Sequence, residues 1–103
     1  MPQLDLSPQH FELLQRLLKK YVSETKVWAF GSRVKGTAHE GSDVDIVLRN
    51  PKDLMQATAE RSLLVLALQE SRLPMLVDVH DWAYLPEDFR RNIEKCYVEI
   101  KIE

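Results

Sequence analysis

Gly31-Ser32-Arg33-Val34-Lys35-Gly36 and, shortly after it, Gly41-Ser42-Asp43-Val44-Asp45-Ile46 form the stretch that decides the reading of this chain. Val27-Trp28-Ala29-Phe30 runs into it as a β-rich, apolar segment that stops at Gly31, which predicts a short buried strand meeting a turn. Three small pairs follow within a dozen residues, Gly31-Ser32, Gly36-Thr37 and Gly41-Ser42. Such a run is loop chemistry, with room for one helical turn over Arg33 to Lys35. Asp43 to Leu48 then reads as a second strand, acids alternating with Val44 and Ile46 before Val47-Leu48, and Asn50-Pro51 breaks it.

Outward from this centre the chain alternates helix and strand. Ser7-Pro8 is an N-cap followed by proline at the first helical position. Phe11, Leu14, Leu17, Leu18 and Tyr21 recur at helical spacing behind it, which predicts a helix to about Val22. Asp53 with Gln56 resembles a weak capping box and predicts a helix from about Leu54 to Ser71. Leu76 to His80 predicts a third strand with Val77 and Val79 on one face and Asp78 and His80 on the other. Pro86 opens a last short helix that carries Phe89, Ile93 and Cys96 on one side, and Tyr97 to Ile102 alternates as a final strand. The fold class is α/β, more strictly α+β: a mixed β-sheet flanked by helices, in one domain over residues 1–103.

Asp43 and Asp45 stand two apart, so a strand would point both to one face, about 6.5–7 Å apart. Paired carboxylates repel and lose solvation unless a cation lies between them. With Val44 and Ile46 turned the other way, the strand has one apolar face and one acidic face. Oxygen ligands of this kind suit a divalent ion such as magnesium, which binds through a few carboxylates and substrate phosphates. Asp78, an acid between valines, can stand beside the pair as a third ligand. Asp81 is its rival, but it precedes Trp82 at the strand end and reads as a cap of the next turn. Gly31-Ser32 offers backbone N–H groups and a hydroxyl to an anion, with a close approach that glycine permits. Arg33 and Lys35 put positive charge on the same loop, Lys35 being the weaker candidate because a loop lysine is usually just solvated. His80 shares the face of Asp78 and reads as structural, nothing requires His39, and no Cys/His cluster supports zinc.

Fourteen basic against sixteen acidic residues give a formal charge of −2, so no global field favours nucleic acid and direct binding to it is not expected. The one cysteine, Cys96, fits a reducing compartment. The opening residues have neither a basic start nor an apolar stretch, and Leu63 to Leu68 is too short to span a bilayer. A cytoplasmic protein with no membrane association is the expectation. Leu63-Leu64-Val65-Leu66-Ala67-Leu68 is apolar around more of its helix than one sheet-facing stripe needs, which points to a partner or to homo- or hetero-oligomerisation.

Gly-Ser, a short loop, Asp43-x-Asp45 and a third acid on a later strand together resemble the signature of the polymerase-β-like nucleotidyltransferase superfamily. The length of the chain points to its minimal nucleotidyltransferase branch. This resemblance implies that Asp43, Asp45 and Asp78 are the catalytic and metal-binding residues, holding two Mg2+ ions, with ATP as substrate. It implies that Gly31, Ser32, Arg33 and Ser42 bind the nucleotide, Gly31 and Ser32 cradling phosphates while Arg33 neutralises them. Asp78 would assist deprotonation of the acceptor hydroxyl. Stand-alone members are commonly antitoxins paired with a HEPN-type RNase toxin, and some transfer AMP to a tyrosine of that toxin. The resemblance therefore implies AMP transfer to a partner protein; the alternatives are an antitoxin acting by contact alone, or a transferase for a small molecule or RNA end.

Overall fold

A computed structural model describes residues 3–102. Its elements run α1 (Pro8–Val22), β1 (Lys26–Phe30), α2 (Ser32–Lys35), β2 (Val44–Arg49), α3 (Arg61–Gln69), β3 (Val77–Asp81), a 3₁₀ turn (Trp82–Tyr84), α4 (Glu87–Lys95) and β4 (Val98–Ile100). The four strands make one mixed sheet in the order β3-β2-β1-β4. β1 is antiparallel to β2 and β4, while β2 and β3 are parallel and joined through α3. The expected α+β architecture, a mixed sheet with helices on it, is what the chain adopts.

Alternation along the strands assigns the two sheet faces. Val27, Ala29, Val44, Ile46, Leu48 and Val79 are buried on one face, against Leu14, Leu18 and Val22 of α1 and Leu64 and Leu68 of α3. Each such aliphatic side chain contributes about 1.5–3 kcal/mol on leaving water, so this face carries most of the stability. The N-terminus of α1 forms as expected, with the Ser7 hydroxyl accepting from the His10 N–H and proline in the first turn.

Only part of the opposite face is covered. Trp28, Phe30, Val47, Trp82 and Ile93 form a second cluster beneath α4 and the 3₁₀ turn. Trp28 lies flat on Tyr97 with centroids 3.7 Å apart and meets Trp82 edge-on at 5.6 Å. The Arg49 guanidinium sits over both indoles, 3.7 Å from the Trp28 centroid and 4.5 Å from that of Trp82. Arg90 fastens α4 to the turn by donating to the Trp82 and Ala83 carbonyls. Toward β3 this covering stops, and the sheet face is left to polar residues.

Two expectations are corrected. The third helix starts at Arg61, not near Leu54. Residues before it satisfy their backbone by turns instead: the Asp53 carboxylate accepts from the Met55 N–H, the Asp53 carbonyl from Gln56, and the Thr58 N–H donates to Asp81. An acid with a serviceable turn nearby competes with the helix it could have capped. Asp81 likewise does not cap the turn that follows it; its carboxylate is buried, accepts from Thr58 and stands 3.6 Å from Arg61 Nε. Arg61 also donates twice to the Val79 carbonyl, so this pair ties the start of α3 to β3.

Candidate active site

The parallel register between β2 and β3 sets Asp45 opposite Asp78 and Val47 opposite His80. Residues paired across strands share a face, so both acids and the imidazole project from the uncovered part of the sheet. One ligand atom from each of Asp45, Asp78 and His80 lies within 4.8 Å of the other two. His80 Nε2 is 3.3 Å from Asp78 Oδ2, and its ring packs at 5.7 Å from Phe30 and 6.1 Å from Phe89. The histidine read as structural is therefore part of the acidic cluster. Its position two residues after Asp78 on the strand was the available signal, but only the β2–β3 register brings Asp45 to meet it.

Asp45 is the least comfortable group. Burial pushes its pKa up, the Asp78 charge adds to this, and Asp43 adds a smaller push, against an opposing contribution from His80. A carboxylate whose charged form is disfavoured by its surroundings is one that a cation would relieve. The donor set fits a divalent ion: Asp45 and Asp78 supply the hard oxygen ligands that magnesium favours. His80 is a poorer ligand for magnesium, and with Nε2 3.3 Å from Asp78 Oδ2 it stands where it bears on the orientation of that carboxylate.

Asp43 lies one residue before β2 and is exposed. It acts on Asp45 through its charge, yet its oxygens stand outside the cluster of Asp45, Asp78 and His80. Of the two acids expected on this strand, Asp45 lies within β2 and Asp43 immediately before it.

Gly31 has a φ of 83° and a ψ of −159°, a backbone state open almost only to glycine. A Cβ there would overlap Asp45 Oδ2 and stand 3.2 Å from Asp45 Cγ. The missing side chain is what lets the Asp45 carboxylate lie against the β1–α2 corner. Ser32 follows as the first residue of α2, half-buried, where the leading N–H groups of a helix have no intrahelical acceptor.

Arg33 is placed differently from expectation. It is 6% exposed, and its guanidinium is committed to main chain: Nε donates to the Ser42 carbonyl, Nη1 to Asp5 and Nη2 to Glu40, at 2.8, 2.8 and 3.0 Å. A planar fork can hold three carbonyls at once, so this residue shapes the loop leading to β2 and does not extend toward a phosphate. The Ser42 hydroxyl accepts from the His39 N–H, and His39 Nδ1 accepts from Gly41, so both side chains organise the same loop. Lys35 lies beyond Gly31 on the edge of a cleft between α2 and α4, whose lining also includes Phe30, Phe89, Asn92 and Lys95. None of the α4 residues in that cleft was singled out for function from sequence, because the spacing of Phe89 and Ile93 reads as a core-facing stripe.

Comparison with known proteins bears on this geometry directly. A probable protein adenylyltransferase MntA from Haemophilus influenzae is 43% identical over 101 residues, spanning 96% of this chain and 85% of that protein. A toxin–antitoxin complex crystallised with AMP-PNP has a chain of the same fold, with a TM-score of 0.70 and 21% identity over 90% of this chain and 73% of that one. A putative nucleotidyltransferase from Sulfolobus solfataricus superposes with a TM-score of 0.51 and 22% identity, covering 88% of this chain and 78% of its own. The family model of the nucleotidyltransferase domain matches residues 11–101. With its acidic pair set against a glycine corner, the chain belongs to this nucleotidyltransferase family and is an enzyme of that class.

Proposed function

We propose that the protein transfers AMP from ATP to a hydroxyl of a partner protein, and that the partner is a HEPN-type RNase toxin which this chain neutralises as its antitoxin. The observation that carries the chemistry is the opposition of Asp45 and Asp78 across parallel strands beside Gly31. The protein acceptor is supported by likeness to a probable protein adenylyltransferase and to a toxin–antitoxin component.

In this reading the acceptor oxygen attacks the α-phosphorus, the bond from that phosphorus to the bridging oxygen breaks, and pyrophosphate leaves. Asp78, exposed and with His80 Nε2 3.3 Å from its Oδ2, takes the proton of the acceptor hydroxyl. Asp45 and Asp78, with Asp43 at their edge, would hold magnesium, two ions in the complete site, and the metal would supply charge neutralisation for the triphosphate. Gly31 and Ser32 form the seat for the phosphates, through a corner with no Cβ and through the leading N–H groups of α2. Arg33, His39 and Ser42 hold the loop that delivers Asp43 and Asp45. Catalysis of this kind is mostly positioning and charge neutralisation.

Incubation with α-labelled ATP, Mg2+ and the product of the neighbouring gene tests this reading. The expected result is label on the partner, lost in Asp45→Asn and Asp43→Asn. A tight complex with no label, indifferent to both changes, would replace enzymatic neutralisation with neutralisation by contact.

A further inference from the structure

Residues 3–6 lie ahead of α1 in no helix or strand, yet the segment is fixed in place. Leu4 and Leu6 pack against the main core, and Asp5 between them is exposed, the alternation of an extended chain. Both main-chain polar groups of Asp5 meet Arg33. The Asp5 N–H donates to the Arg33 carbonyl at 2.7 Å, and Arg33 Nη1 donates to the Asp5 carbonyl at 2.8 Å.

Each bond answers a need of the active-site corner. α2 is four residues long, too short to sustain itself, and the Arg33 carbonyl is one of the helix-end acceptors with no intrahelical donor. The Asp5 N–H supplies that donor. Arg33 is 6% exposed, so a guanidinium nitrogen left there without an acceptor is costly. With Nη1 anchored on Asp5, Nε and Nη2 are aimed at the carbonyls of Ser42 and Glu40, in the loop that ends at Asp43. The loop's own main-chain bonds, from Ser42 to His39 and from Thr37 to Ser32, stay within it and α2. Arg33 and Asp5 together therefore tie it to a part of the molecule outside the site.

We infer that residues 3–6 are a positioning strap of the active site: through Arg33, the Asp5 main chain sets α2 and the loop that delivers Asp43 and Asp45. Asp5 is a positioning residue and not a catalytic one, and its bearing on the reaction rests on the nucleotidyl-transfer reading.

Asp5→Pro deletes the N–H that the Arg33 carbonyl accepts, whereas Asp5→Ala keeps it. The full chain is titrated with Mg·ATP by calorimetry, well below the melting temperature of each variant, and its amide chemical shifts are recorded without metal. In Asp5→Pro the shifts are expected to change at residues 32–35 and 42–45 but not along α3. Mg·ATP affinity should fall about fivefold, the scale of one hydrogen bond. Asp5→Ala should match wild type in affinity and at residues 42–45. A lactic-acid residue at position 5 puts an ester in place of the amide and removes the same N–H without a ring. It stands in for proline if that variant does not fold.

Equal effects of Asp5→Ala and Asp5→Pro would overturn the main-chain role. Wild-type Mg·ATP affinity in folded Asp5→Pro, or shift changes that stop short of residue 42, would reduce the segment to a stabiliser of the fold and overturn the strap. In each of these cases wild type still binds Mg·ATP and the nucleotidyl-transfer reading stands. Failure of wild type to bind Mg·ATP would overturn that reading, and the strap's role in the reaction with it.

Discussion

Replacing Gly31 by alanine tests how closely the site is built, and the structure gives the size of the effect in two separable parts. The backbone at Gly31, with φ 83° and ψ −159°, costs any residue with a side chain about 1–3 kcal/mol. Added to this is overpacking: the new methyl overlaps Asp45 Oδ2 and crowds Asp45 Cγ, and a forced shift of this kind costs about 1–3 kcal/mol. The sum, about 2–6 kcal/mol, is a large part of the roughly 5–15 kcal/mol that holds a small domain together. In an Asp45→Ala background the second part should vanish. The nearest remaining atom, the Cβ of residue 45, is 3.5 Å from the added methyl, an ordinary van der Waals distance. The backbone part should remain.

The assay is equilibrium urea denaturation of wild type, both single variants and the double variant, in buffer free of divalent ions. A coupling energy of about 1–3 kcal/mol is expected, in the sense that Gly31→Ala is less harmful once the carboxylate is gone. Additivity within about 0.5 kcal/mol would refute the claim that the Asp45 carboxylate rests on Gly31. A fully harmless Gly31→Ala would refute the backbone argument as well.

Asp45→Asn should stabilise the metal-free fold at neutral pH, because burial and the Asp78 charge raise the Asp45 pKa above its unfolded value. The folded protein then binds more protons than the unfolded chain through the carboxylate range, so wild-type stability falls as pH rises through the folded pKa. The advantage of Asp45→Asn should close on acidification below the ordinary carboxylate range, and Mg2+ should raise the melting temperature of wild type only. Arg33→Lys should cost roughly 3 kcal/mol in urea titrations, since one ammonium cannot serve the three carbonyls held by the guanidinium. It should also expose the segment 37–43 to limited proteolysis. At Arg49 the cation–π gain over two indoles, about 1–2 kcal/mol, is set against burial, which lowers its pKa and leaves Nε without a partner. Arg49→Met should therefore stay within about 1 kcal/mol of wild type by thermal melting, while Arg49→Ala should lose more by uncovering Trp28 and Trp82.

Local patterns made much of the architecture legible. Ser7-Pro8 and the apolar spacing behind it placed α1, and alternation placed β2 and β3, because these signals act within a few residues of one another. Longer-range facts were out of reach. The carboxylate of Asp81 claims the Thr58 N–H across 23 residues, and with that group fixed the turn from Asp53 does not become helix. Arg33 reads from its loop as a phosphate-binding cation, whereas its guanidinium is enclosed by the carbonyls of Asp5, Glu40 and Ser42. The surplus of leucine in α3 was real: Leu64 and Leu68 are buried, while Leu63 and Leu66 remain 57% and 52% exposed. His80 needed the β2–β3 register before its position two residues after Asp78 meant anything.

Two acids facing each other across adjacent strands are destabilising, so their placement has to be imposed by something stronger. That something is the alternation around them. A one-residue slip of β2 would turn Asp45 into the aliphatic core and bring Val44 and Ile46, both fully buried, out to the open face. Burial of those two side chains contributes about 1.5–3 kcal/mol each, more than the repulsion between partly solvated carboxylates can recover. Val77 and Val79 fix β3 in the same way, because they pair with Val44 and Ile46 on the core side while Asp78 pairs with Asp45. The valines and the isoleucine that separate the acids hold the charge cluster on the uncovered face, where a metal-bound polyphosphate could reach it.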